Sequence, residues 1–308
     1  MKKVLKITAV VVLCIIVLLF LFFTYLAKKP FVEENYSENA ETGGEIEAKY
    51  MKKGTYDVAY YEESALHGFE KYEIYYPAEL ESEDAVYPVV VFFNGSGAKA
   101  SKYNALLQHM ASWGFIAIGT EEEFDWNGFA AEMCIRHLKR LNGNETLSDK
   151  DNIFFGKIDL EHVGITGHSQ GGVGVFNAIT VWDHSDIYKA AVALSPTNMD
   201  LAQNLEWDYD ATKITVPVLL ISGAGGGDDW VVTGEQLESI YDEIHAAKFM
   251  ARRKDTDHGA VLYSADGYVT AWFMWLLQED EEAAKAFLGN HAEMADNPLY
   301  QDFRNGLE

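Results

Sequence analysis

The alternation of apolar and polar segments predicts a sheet of buried strands with helices between them. Apolar or β-rich runs, typical of strands buried on both faces, occupy residues 88–93, 115–119, 162–166, 190–194, 218–222 and 248–252. Helical patterns occupy residues 105–113, 129–141, 173–181, 234–245, 268–277 and 281–288. Two tyrosine-rich segments, 56–61 and 72–76, predict an initial antiparallel pair. This order predicts an α/β fold with a mostly parallel central sheet and helices on both faces.

The N-terminal pattern predicts a membrane anchor over residues 1–29. Residues 7–27 carry no charged side chain and follow a lysine-rich start, and about 20 apolar residues suffice to span a bilayer. Tyr25 and Leu26 make a poor cleavage site, which favours an uncleaved helix over a signal peptide. More lysines precede the run than follow it, which predicts a single-pass protein with its catalytic domain on the extracytoplasmic side.

The polar, acidic residues 30–54 are predicted to be a spacer that lies outside the core. Residues 55–308 are predicted to form one catalytic domain, since no further boundary is visible. The net charge is −24, which argues against nucleic acid as a partner. The membrane, through the N-terminal helix, is the predicted partner.

The strongest chemical signal is Gly-His-Ser-Gln-Gly at residues 167–171, directly after an apolar strand and before a helical segment. This is the pattern of a nucleophile elbow, a strained strand-to-helix turn that exposes a serine hydroxyl. Ser169 is the predicted nucleophile. The backbone N–H of Gln170, at the helix N-terminus, is a predicted oxyanion donor.

A serine nucleophile needs a histidine base and a carboxylate, which follow it in chain order in this fold. His258 stands in a loop after the strand at 248–252, whereas His245 and His291 lie in a helix and in the C-terminal tail. The Gly-rich loop after residue 222 offers two acids. Asp229 is preferred because Trp-Val-Val follows it, and Asp228 is the second choice.

The second oxyanion donor is predicted to come from the loop Asn-Gly-Ser-Gly at residues 94–97, through the backbone N–H of Ser96. The Gly-rich loop lacks the trailing Lys-Ser/Thr of a phosphate-binding P-loop. One triad explains the acids and histidine better than a metal site does. No metal or organic cofactor is therefore predicted.

With these residues in place, the chain resembles the α/β-hydrolase superfamily, and within it the cutinase-like, polyester-hydrolase and chlorophyllase/dienelactone-hydrolase group. The resemblance covers residues 56–303 and rests on the segments at 88–97, at 106–115, at 167–172 and at His258 with the downstream 271–277. It implies the same oxyanion donors, Ser96 and Gln170. Asn94 and the lengthened glycine run before the acid depart from the group's pattern.

Together these residues predict a membrane-anchored serine hydrolase, carboxylesterase- or lipase-like, that cleaves small or lipid-like esters through a Ser-His-Asp triad. A peptidase or thioesterase on the same triad, and a surface binding module without turnover, remain as alternatives. The acyl and alcohol specificity are open, because one fold hosts many chemistries.

Overall fold

The protein is described by a computed structural model that covers residues 8, 11–22, 29–65, 68–143 and 152–307. The strands are β1 (Val58–Ser64), β2 (Lys71–Pro77), β3 (Tyr87–Phe93), β4 (Ile116–Thr120), β5 (Ile158–His168), β6 (Tyr188–Leu194), β7 (Val218–Ala224), β8 (Lys248–Lys254) and β9 (Tyr300–Asn305). Across the described residues they form one 9-stranded sheet in the order β1-β2-β4-β3-β5-β6-β7-β8-β9. Six neighbouring strands run parallel, namely β4, β3, β5, β6, β7 and β8. Strands β1, β2 and β9 add antiparallel edges. The predicted mostly parallel sheet is confirmed.

Helices cover both faces of this sheet. They are α1 (Tyr36–Asn39), α2 (Glu45–Met51), α3 (Asn104–Ser112), α4 (Phe129–Gly143), α5 (Gln170–Ala178), α6 (Met199–Asn204), α7 (Gly234–Glu243), α8 (His258–Ser264), α9 (Asp266–Gln278), α10 (Glu281–Ala284) and α11 (Glu293–Asp296). Strand β3 shows why both faces are covered, because its side chains alternate between two cores. Val89 and Val91 pack with α4 and α5 on one face, whereas Val90 packs with α3 and α9 on the other.

The strand order positions the site. Strand β3 has β4 on one side and β5 on the other, and the helices that follow β3 and β5 lie on opposite faces of the sheet. Ligands in open α/β sheets bind at such a switch point, beyond the carboxyl ends of the strands. Ser96 follows β3 and Ser169 follows β5, so both predicted residues lie at this edge.

Residues 30–54, predicted as a detached spacer, are instead packed against the catalytic domain. Val32, Tyr36, Tyr50 and Met51 are each at most 5% exposed, and α2 packs along α9. Charged or polar residues flank these side chains, so the composition of the segment does not indicate that they are buried. The folded domain therefore includes this segment and does not begin at residue 55.

A buried ion pair holds the same segment in place. Glu47, which is fully buried, accepts hydrogen bonds from the Arg253 guanidinium at 2.8 Å and the Tyr300 hydroxyl at 3.0 Å on one oxygen. Its other oxygen accepts from the Asn297 amide at 2.8 Å and the Gly43 N–H at 2.7 Å. A buried carboxylate with a donor set of this kind is fixed to one geometry.

A second buried cluster ties α1 to α3 and α9. The Tyr36 hydroxyl donates to an Asp266 carboxylate oxygen at 2.5 Å, and His109 Nδ1 lies 2.7 Å from the same oxygen. His109 Nε2 lies 2.9 Å from the Lys52 carbonyl. The Asp266 carboxylate and the Lys52 carbonyl are both acceptors, so these contacts favour the protonated ring. Burial alone would lower the pKa of His109, but the Asp266 carboxylate and the hydrogen bonds raise it above its usual value.

The predicted anchor is only partly described. Residues 11–22 are helical and exposed, while residues 1–7, 9–10 and 23–28 lie outside the described residues. In the part of the chain that the structure describes, no helix has both the length and the apolar character needed to cross a bilayer. The anchor therefore stays a prediction.

Removing the buried charge of Glu47 tests whether the segment is part of the fold. Glu47→Gln leaves Arg253 buried without its anionic partner, so we expect the free energy of unfolding to fall by about 3–5 kcal/mol, measured by urea denaturation. Glu45→Gln, at an exposed position in the same helix, is the control and is expected to stay within about 0.5 kcal/mol. A Glu47→Gln chain as stable as the wild type would contradict the docking of the segment.

The pair between His109 and Asp266 predicts a loss of stability in alkaline solution. Below about pH 6.5, the pKa of an unfolded histidine, the ring is protonated in both states and the pair contributes fully. As the pH rises towards and through the raised pKa of the folded state, the unfolded chain releases its proton first and stability falls. We expect the wild-type Tm to decline from about pH 6 to about pH 9, as followed by circular dichroism.

Two variants distinguish the contribution of this pair to the pH dependence of Tm from that of another histidine. His109→Gln is expected to have a lower Tm than the wild type near pH 6 and a flatter dependence on pH. His291→Gln serves as the control, because that side chain is 92% exposed beside Asp296 and should leave the profile unchanged. Parallel profiles for the wild type and His109→Gln would show that the buried pair does not set the decline.

Candidate active site

Ser169 stands at the predicted elbow, between β5 and α5. Its backbone adopts φ 61° and ψ −120°, a conformation that costs a non-glycine residue on the order of 1–3 kcal/mol. Close backbone packing enforces the turn: a Cβ on Gly167 would lie 2.3 Å from the Gly171 carbonyl oxygen, and a Cβ on Gly171 would lie 2.7 Å from the Asn94 carbonyl oxygen. Only glycine fits at either position, so the local sequence specifies the turn that presents Ser169.

His258 begins α8, immediately after the loop that follows β8. Its Nδ1 lies 2.6 Å from Asp228 Oδ1, and the carboxylate can only accept, so Nδ1 carries the proton. In a neutral ring this leaves Nε2 with a free lone pair. The side chain of His258 is 25% exposed, whereas that of Asp228 is fully buried. Asp228 therefore holds the ring from its buried side, while the His258 side chain lines the open cleft.

The structure corrects the preferred acid. Asp228, the second choice, contacts His258, while Asp229 points outwards and pairs with Arg252 at 3.0 Å. The loop makes a turn in which the Asp228 N–H donates to the Gly225 carbonyl and the Val231 N–H donates to the Asp228 carbonyl. The turn places Asp228 inside and its neighbour outside.

The reason for preferring Asp229 does not hold. The Trp-Val-Val that follows it does not open the next helix, because α7 begins only at Gly234. Trp230 is itself 84% exposed, so its ring lies outside the core.

The Asp228 carboxylate is held by two further donors. Ser195 Oγ donates to Asp228 Oδ2 at 2.9 Å, and the Gly223 N–H donates to the same oxygen at 2.5 Å. Ser195 is fully buried and has a positive φ of 41°, as strained residues near functional sites often do. These donors stabilise the ionised carboxylate and fix its direction.

His168, the residue before Ser169, also contacts His258. Its Nε2–H donates to the His258 backbone carbonyl at 2.7 Å, and the two rings lie 4.4 Å apart, tilted by 36°. Burial, and next the proximity of His258, lower the pKa of His168 to about 3. A neutral His168 is therefore a fixed donor that positions the loop of His258. The sequence did not indicate a role for His168 or for Ser195. In the elbow pattern the residue before the serine can be of any type, so the pattern gives no signal for His168.

The two predicted oxyanion donors lie at neighbouring strand ends. Neither the Ser96 N–H nor the Gln170 N–H donates to another group within the described ranges. Asn94, which departs from the group's pattern, donates from its amide to the carbonyls of Thr120 at 2.7 Å and Glu122 at 2.8 Å. This side chain ties the loop of Ser96 to the loop after β4, so the departure is explained by a structural role.

The acidic run at residues 121–123 supports the same loop. Glu121 is 6% exposed, and its carboxylate accepts from the Ser101 N–H and the Ser101 hydroxyl, each at 2.9 Å. The Gly97 N–H donates to the Glu123 carbonyl. Glu121 is thus a buried carboxylate that holds this loop in place.

An open cleft of about 510 Å³ brings the candidate residues together. Ser96, Ser169 and His258 line it, with Gly95 and His168 beside them. Asp228 lies behind His258, while Asp229 lines a separate surface depression with Arg252. Across the described residues, no three His, Cys, Asp or Glu side chains are grouped to hold a metal ion.

The sequence matches the family described as "PETase: PET hydrolase-like" over residues 37–302. A curated relative, the bis(hydroxyethyl) terephthalate hydrolase of Streptomyces coelicolor, is 29% identical over 209 residues. That alignment covers 67% of this chain and 59% of the relative. The chain therefore spans less than two thirds of the relative's length.

Neutralising each aspartate in turn tests the correction. Asp228→Asn is expected to lower kcat for a p-nitrophenyl ester on the order of ten-thousand-fold, because an amide favours the wrong tautomer of His258. Asp229→Asn is the matched control, one residue away and facing Arg252, and is expected to keep near wild-type activity. A larger loss from Asp229→Asn would return the role to Asp229.

Proposed function

The chain belongs to the PET hydrolase-like family, as the sequence resemblance predicts, and from this membership and its cleft we propose that it is a serine hydrolase of carboxylic esters. The observation that carries the proposal is the buried Asp228 carboxylate on Nδ1 of His258, in a cleft that also holds the strained Ser169. The backbone strain at Ser169 costs stability, and strain of this kind is typical of functional sites. A serine nucleophile needs a histidine base that is oriented by a carboxylate, and the pair of His258 and Asp228 in the same cleft supports this role.

In the first half of the reaction, Ser169 Oγ attacks the ester carbonyl carbon. Nε2 of His258 takes the hydroxyl proton as the new C–O bond forms, and Asp228 stabilises the imidazolium. Collapse of the tetrahedral intermediate breaks the bond to the alcohol, which leaves with the proton from His258. In the second half, water attacks the acyl-enzyme with the same base, releasing the acid and restoring Ser169.

The developing negative charge on the carbonyl oxygen needs donors that are already in place. The N–H groups of Ser96 and Gln170 serve this purpose, since neither donates within the described protein. Removing one such donor typically costs about a hundred- to a thousand-fold in kcat. The Asn94 and Glu121 contacts keep the loop of Ser96 in position. The two oxyanion donors therefore do not need to reorganise during the reaction.

The substrate class follows from the relative and from the open cleft. The similar protein is named for bis(hydroxyethyl) terephthalate, a small neutral ester of an aromatic acid. We propose neutral esters of comparable size as substrates, with bis(hydroxyethyl) terephthalate as the first to be tested. The net charge of −24 disfavours anionic esters at low ionic strength.

The location of the protein is a separate proposal. We propose that residues 7–27, which carry no charge, anchor the chain in a membrane with the catalytic domain on the extracytoplasmic side. The lysines before the run support this orientation.

Replacing the nucleophile tests the proposed chemistry. Ser169→Ala is expected to lower kcat for p-nitrophenyl acetate on the order of a million-fold and to abolish labelling by a fluorophosphonate, with the fold intact by circular dichroism. Ser185→Ala, in a turn before β6, is the control for both readouts. Near wild-type ester hydrolysis by Ser169→Ala would overturn the proposal.

Membrane fractionation tests the proposed location. The full chain is expected to stay with membranes after a high-salt wash, because a spanning helix is held by apolar burial and not by charge. A chain that begins at residue 30 keeps the docked segment and is expected to be recovered in the soluble fraction with full activity. Release of the full chain by salt, or recovery of a shortened form from cells, would contradict an uncleaved anchor.

A further inference from the structure

One wall of the active cleft comes from the segment that the sequence analysis treated as a spacer. Phe31 lines the cleft together with Tyr103 and Tyr263. Ser169 and His258 line the same cleft. An aromatic side chain from outside the predicted catalytic domain therefore stands beside the reacting groups.

Phe31 is held firmly although its ring is 55% exposed. Its N–H donates to the Lys102 carbonyl at 3.0 Å, and its ring meets the Tyr103 ring edge-on with centroids 5.8 Å apart. The next residue, Val32, is fully buried. An exposed phenyl ring on a backbone fixed in this way loses little freedom when a ligand covers it.

The other two rings are also anchored. The Tyr103 hydroxyl accepts a hydrogen bond from the Gly95 N–H at 3.3 Å, which places this tyrosine under the loop of Ser96. Tyr263 lies in α8, one helical turn beyond His258, and packs edge-on against Tyr36 with centroids 6.3 Å apart. The wall thus connects the oxyanion loop, the helix of the base and the docked N-terminal segment.

We propose that Phe31, Tyr103 and Tyr263 form a subsite for an aromatic ring of the ester, with Phe31 as the residue that determines specificity. The inference rests on the proposed function, which it deepens. Aromatic rings attract one another edge-to-face, and covering the exposed Phe31 ring removes apolar surface from water. A small ester that does not reach the wall gains neither contribution.

Two substrate pairs isolate the aromatic group. Methyl benzoate and methyl acetate differ only on the acyl side, and benzyl acetate and ethyl acetate differ only on the alcohol side. Phe31→Ala is expected to lower kcat/KM for the aromatic member of at least one pair about tenfold and to leave the small member unchanged. Phe31→Tyr keeps the ring and is expected to retain the preference.

Phe155→Ala is the matched control. Phe155 is also an exposed phenylalanine, at 42%, but it precedes β5, whereas Ser169 follows that strand. The two positions are roughly 30 Å apart along the strand. This variant is expected to leave both ratios unchanged.

The outcomes separate this inference from the proposed function. If the wild type reacts with a fluorophosphonate at Ser169 but Phe31→Ala leaves both selectivity ratios unchanged, the subsite is wrong while the hydrolase stands. An equal loss for large and small esters would also overturn it, because it would assign Phe31 a general structural role. If the wild type neither reacts with the fluorophosphonate nor cleaves any of the four esters, the proposed function itself fails.

Discussion

The arrangement of the site depends on one buried carboxylate. Asp228 follows β7, and its two oxygens accept hydrogen bonds from Ser195 after β6, Gly223 within β7 and His258 after β8. One side chain therefore joins the ends of three adjacent strands. Because burying an unpaired charge is costly, the carboxylate keeps these donors around it, and the position of His258 follows from this contact.

Ser169 and His258 could be predicted because their signals are local. The glycines around Ser169 are required by backbone contacts within the elbow and with the end of β3, so the pattern in the sequence carries the geometry directly. The chain order of the fold then limits the base to a few histidines, and only His258 occupies a loop after a strand. The strand and helix pattern likewise came from local periodicity.

The carboxylate that contacts His258 could not be predicted, because the choice between the two aspartates is not local. Asp228 and Asp229 are neighbours in one glycine-rich loop, and either fits the pattern after β7. What separates them is Arg252, which draws Asp229 outwards, and the Ser195 hydroxyl, which receives Asp228 inside. Arg252 lies in β8 and Ser195 directly after β6, so the distinction exists only in the folded sheet. His168 was missed for a similar reason, since its partner is a backbone carbonyl 90 residues away.

The N-terminal segment shows the same limit on a larger scale. Its composition is that of a linker, yet Glu47 is paired with Arg253 across 206 residues of sequence. A carboxylate that is buried by a distant guanidinium looks like any solvated acid in the sequence. Apolar content alone therefore underestimates how much of a chain belongs to the fold.

Docking of this segment also limits how far the cleft can lie from the proposed anchor. Phe31 lies in the cleft wall and only four residues after Ala27, and an extended chain of that length spans at most about 14 Å. In the proposed membrane-anchored protein, that wall of the cleft therefore stays within about 14 Å of the end of the anchor. A freely diffusing ester could then enter from the open side, whereas the surface of a large solid would have to come within that distance of the membrane.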